Sequence, residues 1–123
     1  MNFRRSISAA VYFTTFFTLF STVNAITPIS ISKVSDNYTS LLILTKSGKV
    51  WSCYHNEYDQ LGDNTERYRY VPVQVYAGET NSVSNCLENI IAISAVWKNS
   101  YAIDVNHHVL AWGYNDGGQL GRP

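Results

Sequence analysis

A chain of 123 residues has room for one small domain at most. Nine basic side chains balance nine acidic ones, so the charge gives no electrostatic ground for a nucleic-acid or strongly acidic partner. Aromatic residues make up 14% and proline is sparse, which excludes a chain disordered throughout.

Arg4 and Arg5 open a basic stretch, and the run from Ile7 to Phe20 is apolar or hydroxylic without charge. Ser21-Thr22-Val23-Asn24-Ala25 follows, with small residues at Val23 and Ala25. That order is the signature of a secretory signal peptide cleaved after Ala25. The apolar run is shorter than the roughly 20 residues a spanning helix requires, so a retained membrane anchor is the weaker alternative. The expected organisation is a signal peptide at 1–25 and a mature chain at 26–123. That chain would be secreted or periplasmic, with no membrane attachment after cleavage.

Two stretches repeat without gaps, 59 residues apart: "VWSCYHNEYDQLG" from Val50 to Gly62 and "VLAWGYNDGGQLG" from Val109 to Gly121. Identical pairs are Val50/Val109, Asn56/Asn115, Gln60/Gln119, Leu61/Leu120 and Gly62/Gly121. The same register continues upstream, where Ile31 meets Ile90, Val34 meets Ile93 and Ser35 meets Ser94. Such self-similarity marks a repeat architecture.

In chain order, the region after Ile31 reads as a strand, followed by the apolar patch Leu42-Ile43-Leu44, a turn at Lys46-Ser47-Gly48 and a strand from Val50. Asn56 to Tyr70 is polar and turn-forming. Val71 to Val75 is a short strand, and Pro72 marks it as an edge or a strand start. Ala77 to Asn85 is a polar link. "NIIAISA" and "SYAIDV" alternate as strands, Asn106-His107 holds the place of the earlier turn, and a last strand begins at Val109. The reading is all-β, with seven strands and no helix longer than a turn. Cys53 and Cys86 are an even count that permits one disulfide in an oxidising compartment, and their spacing alone leaves the pairing open.

At "AWGYNDGGQLG" the chain resembles the regulator of chromosome condensation repeat, whose blades end in a Trp-Gly strand, an Asn and then Gly-Gln-Leu-Gly. "NIIAISAVWKNSYAIDVNHHV" resembles the rest of such a blade, and "RYVPVQV" its opening strand. The first copy departs from the pattern: Cys53-Tyr54 stands for Trp112-Gly113, and Tyr58-Asp59 for Gly117-Gly118. In the second, Val96-Trp97 replaces a glycine-containing turn. The resemblance implies antiparallel blades of an incomplete β-propeller, with repeat units at 31–62 and 71–121. Val71 to Tyr114 would form one complete blade, and Ile31 to Tyr54 three strands of another. Propellers close with about four to eight blades.

The motif residues are given structural roles. Trp112 offers a large apolar face to the neighbouring blade and Leu120 fills the gap under the turn, while Gly113, Gly118 and Gly121 allow backbone paths closed to other residues. Gln119 and Asn115, like Asn56, Gln60, Leu61 and Gly62 in the first copy, belong to the same loop. No catalytic, cofactor or metal residue is assigned. His55, Glu57 and Asp59 alternate, but read as a solvated loop. His107 and His108 are adjacent and would point to opposite faces. Asn37-Tyr38-Thr39 is a glycosylation sequon if the source is eukaryotic. The expectation is a non-enzymatic module that binds a protein partner or self-associates through open blade edges. The alternative is a truncated remnant of a longer propeller, with no function of its own.

Overall fold

The computed structural model describes residues 29–78 and 85–121, so the predicted signal peptide and its cleavage site lie outside the described residues. Seven strands follow one another: β1 (Ile31–Asp36), β2 (Ser40–Thr45), β3 (Val50–Tyr54), β4 (Arg69–Gln74), β5 (Ile90–Val96), β6 (Asn99–Asp104) and β7 (Val109–Gly113). They form two antiparallel sheets, ordered β1-β2-β3-β4 and β5-β6-β7.

One expectation is corrected. The complete blade is the first, not the second, because β4 pairs with β3 through Trp51↔Gln74, Ser52↔Val73 and Tyr54↔Arg69. The loop 55–68 returns the chain to the open edge of β3, so the sequence repeat and the physical blade are out of phase. As the outermost strand, β4 accommodates Pro72 where a missing N–H breaks no inner ladder.

The repeat of 59 residues is visible in backbone geometry. In the β2–β3 turn the Gly48 N–H donates to the Thr45 carbonyl at 3.0 Å, and in the β6–β7 turn His107 donates to Asp104 at 3.0 Å. Both corners are left-handed, at φ 79° for Gly48 and 65° for His107. Gly48 is needed where it stands: a Cβ there would lie 3.1 Å from the Ile90 nitrogen of the neighbouring blade.

The core lies between the sheets. Leu42, Leu44 and Val50 meet Ile90, Ile93, Ala95 and Ala102, with Leu110 and Trp112 of β7 packed against the cluster. Val75 and Leu87, on the link between sheets, close one end. The alternation of β5 puts Ile93 and Ala95 into this core and leaves Ile91, Ser94 and Val96 exposed.

The disulfide that the cysteine count permits is not formed, and both thiols are free. Cys53 is buried within β3 opposite Leu41, whereas Cys86 forms an isolated bridge with Tyr76 on the inter-sheet link. Burial, helped by the Asp36 carboxylate, pushes the Cys53 thiol up to about 12.

Candidate functional site

The two motif loops have the same internal wiring. Asn56 Oδ1 accepts from the Leu61 N–H at 2.9 Å, and Asn115 Oδ1 from the Leu120 N–H at 2.9 Å. Gln60 Oε1 accepts from the Tyr58 N–H, and Gln119 Oε1 from the Gly117 N–H, both at 2.9 Å. Two corners of each loop are left-handed: Asp59 and Gly62 in the first, Gly118 and Gly121 in the second. Asparagine and glutamine amides therefore do locally what a strand ladder would otherwise do for these backbone donors.

Their surroundings differ. In the first loop Asn56, Gln60 and Leu61 are buried, and the Gln60 carbonyl accepts both the Trp112 indole N–H at 3.0 Å and the Ser100 hydroxyl at 2.8 Å. A Cβ on Gly62 would lie 2.8 Å from the Trp112 ring nitrogen. Trp112 thus seals β7 onto the preceding blade and is half-buried rather than fully enclosed. Gln119 and Gly121 of the second loop are exposed and Leu120 is only half-buried. Degeneracy does not track burial: the imperfect copy is the enclosed one.

The same contrast runs across the sheets. Leu42, Leu44, Val50 and Ser52, all buried, lie beneath the second blade. Their counterparts Tyr101, Ile103 and Ala111 are half-buried, and Val109 is 70% exposed. Cross-strand registers Tyr101↔Ala111 and Ile103↔Val109 place these four on one face. Among the described residues β7 pairs with β6 alone. Among the described residues, the second blade therefore presents an apolar face, an unpaired β7 edge and a half-exposed motif loop together.

Loop 55–68 is held by charge. Asp63 is buried, pairs with Arg69 at 2.6 Å and accepts the Asn56 amide at 2.8 Å. Its neighbour Asp59 is pushed up to about 6 by burial and by the Asp63 carboxylate, against the pull of backbone N–H donors from Thr65, Asn64 and Asp63. His55 packs on the Tyr68 ring at 4.2 Å, and Glu57 is exposed. Among the described residues no group of three or more His, Cys, Asp or Glu side chains is placed to hold a metal ion. His108 Nδ1 meets Asp104 at 3.0 Å, while His107 holds the turn corner. The sequon side chain of Asn37 closes a turn, accepting from the Thr39 and Ser40 N–H groups at 2.7 Å each.

A four-stranded antiparallel sheet stacked on a three-stranded one, each carrying an Asn…Gln-Leu-Gly loop after its third strand, has the architecture of adjacent β-propeller blades and is similar to blades of regulator of chromosome condensation repeats. The chain is similar to the ultraviolet-B receptor UVR8 of Arabidopsis thaliana, with 28% identity over 91 residues that cover 74% of this chain and 19% of the receptor. In three dimensions it is similar to a chain in the structure of Kap60 bound to yeast RCC1 (Prp20), at a TM-score of 0.59 and 18% identity, covering 80% of this chain and 20% of that one. Prp20p from Saccharomyces cerevisiae matches at 0.59 and 18% identity, covering 78% and 20%. Human WBSCR16 matches at 0.57 and 18% identity, covering 77% and 23%. The chain spans about a fifth of the length of these proteins. No protein-family model matches it.

Proposed function

We propose that this chain is a secreted, non-enzymatic repeat module that binds another protein through the uncovered face and edge of its second blade. The observation that carries the reading is the pairwise contrast at a spacing of 59 residues. Val50 is 0% exposed beneath a neighbouring blade, and its counterpart Val109 is 70% exposed. Blades bury their apolar faces on one another, and an uncovered face beside an open edge favours pairing with another chain. Export is supported by the order of Arg4-Arg5, the apolar run and Ala25. Yeast Prp20 is seen with Kap60 and has binding properties to Gsp1p and histones, which supports protein recognition as the use of such repeats.

The test is the assembly state of the exported product, whose first residue by mass spectrometry should be Ile26. Light scattering should find a defined oligomer or a complex with a co-purifying protein. Val109→Asp should dissolve it without unfolding the monomer, since the side chain faces outward. A monodisperse native monomer whose β7 amides resist hydrogen exchange would overturn the proposal. Aggregation without any defined complex would favour the alternative, a remnant without a function of its own.

A further inference from the structure

At the end of the blades opposite the Gly48 turn, three aromatic rings surround one ammonium group. Lys98 Nζ lies 4.1 Å from the Tyr58 ring centroid, 4.5 Å from Trp97 and 5.0 Å from Tyr114. Tyr58 and Tyr114 meet edge to face at 4.9 Å, and Trp97 and Tyr114 at 6.1 Å. The rings come from three separate places: the motif loop of the first blade, the β5–β6 turn, and the residue following β7.

Of these rings, Trp97 stands in the turn where the repeat calls for glycine. Tyr58 is the counterpart of Gly117, whereas the glycine of Gly-Gln-Leu-Gly is Gly118, whose counterpart is Asp59. Trp97 adopts a left-handed φ of 49°, which is costly for a bulky side chain, and yet is 58% exposed, so packing does not explain it. The turn is pinned from the first blade, where the Thr39 hydroxyl donates to the Trp97 carbonyl at 2.7 Å. Carboxylates lie nearby: Asp116 pushes the Tyr114 hydroxyl up, and the Lys98 ammonium is favoured first by its hydrogen bond to Tyr58 and least by Glu57.

We propose that Tyr58, Trp97 and Tyr114 form a cation-binding platform for an arginine side chain of a protein partner, with Lys98 as its resident occupant. Ring faces attract cations, and the two nearby carboxylates add to that attraction. The platform is an open surface, whereas small-molecule sites are concave and enclose their ligand. Guanidinium is planar and more weakly hydrated than ammonium, so it stacks on rings at lower desolvation cost and displaces the tethered lysine. Lys98 donates to the Tyr58 hydroxyl at 2.9 Å, a contact that the arriving guanidinium takes over. The platform lies at the loop end of the blades and does not depend on docking at the outer sheet face.

The probe is a blocked pentapeptide with one central arginine, compared with its citrulline analogue and with choline, followed by NMR on the full chain. The Lys98 methylene protons should begin upfield, shifted by the ring currents, and return toward ordinary values as the arginine peptide is added. Lys98→Met should bind that peptide about tenfold more tightly than the native chain, the worth of removing one competing cation–π contact. The citrulline analogue should not bind. Trp97→Gly, which suits the left-handed turn, should abolish binding while far-UV circular dichroism stays unchanged. Citrulline binding as tight as arginine, choline binding where arginine does not, or unmoved Lys98 and ring signals in both native and Lys98→Met chains would overturn the proposal.

Discussion

Leu61 and Leu120 are the same residue of the same motif in two environments, so truncating each to alanine isolates what a neighbouring blade contributes. Leu61 is 0% exposed. Its loss removes three carbons at about 0.8 kcal/mol each and leaves a closed cavity, together about 3 kcal/mol. Leu120 is half-buried, so less transfer energy is lost and no sealed void remains. That cost should be about 1 kcal/mol. Urea denaturation followed by circular dichroism would measure both. A domain of this size holds few kcal/mol in reserve, so Leu61→Ala approaches unfolding, and Leu61→Val would repeat the comparison at about 1 kcal/mol. Equal losses at the two sites in the monomer would refute the claim that the second loop lacks its neighbour. In a defined complex the Leu120→Ala cost should rise toward that of Leu61→Ala.

Two further perturbations follow. Gly113 and Tyr54 hold the same left-handed position at φ 107° and 88°, and a Cβ on Gly113 would lie 2.3 Å from the Lys98 carbonyl oxygen. Gly113→Ala should therefore cost at least ~3 kcal/mol, whereas Tyr54→Gly should stay within about 1 kcal/mol of the native chain, because relief of strain offsets lost contacts; thermal melts would rank them. For Asp59, the folded value of about 6 lies above the ordinary 3.8, so the folded state holds the proton more tightly than the unfolded one. Stability from this group is present at low pH and is lost as pH rises between those two values. Native chain minus Asp59→Asn, titrated by urea across that window, should show a falling difference, and a flat or rising one would refute the assignment.

The β character, the seven strands and the repeat register were legible because alternation and a constant spacing are local properties. The phase of the blades was not. "RYVPVQV" looks like an opening strand, but its partner is decided by loop 55–68, which Asn56, Asp63, Thr65 and Arg69 fold back toward β3. Burial of the motif was equally hidden, since Gln60-Leu61-Gly62 and Gln119-Leu120-Gly121 are identical strings. The ring platform escaped notice for a different reason. Tyr58, Trp97 and Tyr114 are far apart in sequence, and the only local sign was the missing glycine at the Trp97 turn.

That missing glycine connects the two halves of the functional argument. Where blades touch, the repeat keeps small residues: Gly48 beside Ile90, Gly62 beside Trp112, Gly113 beside Gln60. Side chains there would force the blades apart. Away from those contacts the left-handed corners take either kind of residue: Gly118 and Gly121 in the exposed loop, and side chains at Tyr54, Asp59, Trp97 and His107, each accepting an unfavourable φ. Strain at such corners persists only when surrounding contacts hold it, and here those contacts are loop hydrogen bonds, not core packing. Stacking thus constrains the inner positions, and the exposed corners are open to carry side chains for recognition. Trp97 is the clearest case, with a large ring held at a strained corner, pinned from the adjoining blade and turned toward solvent.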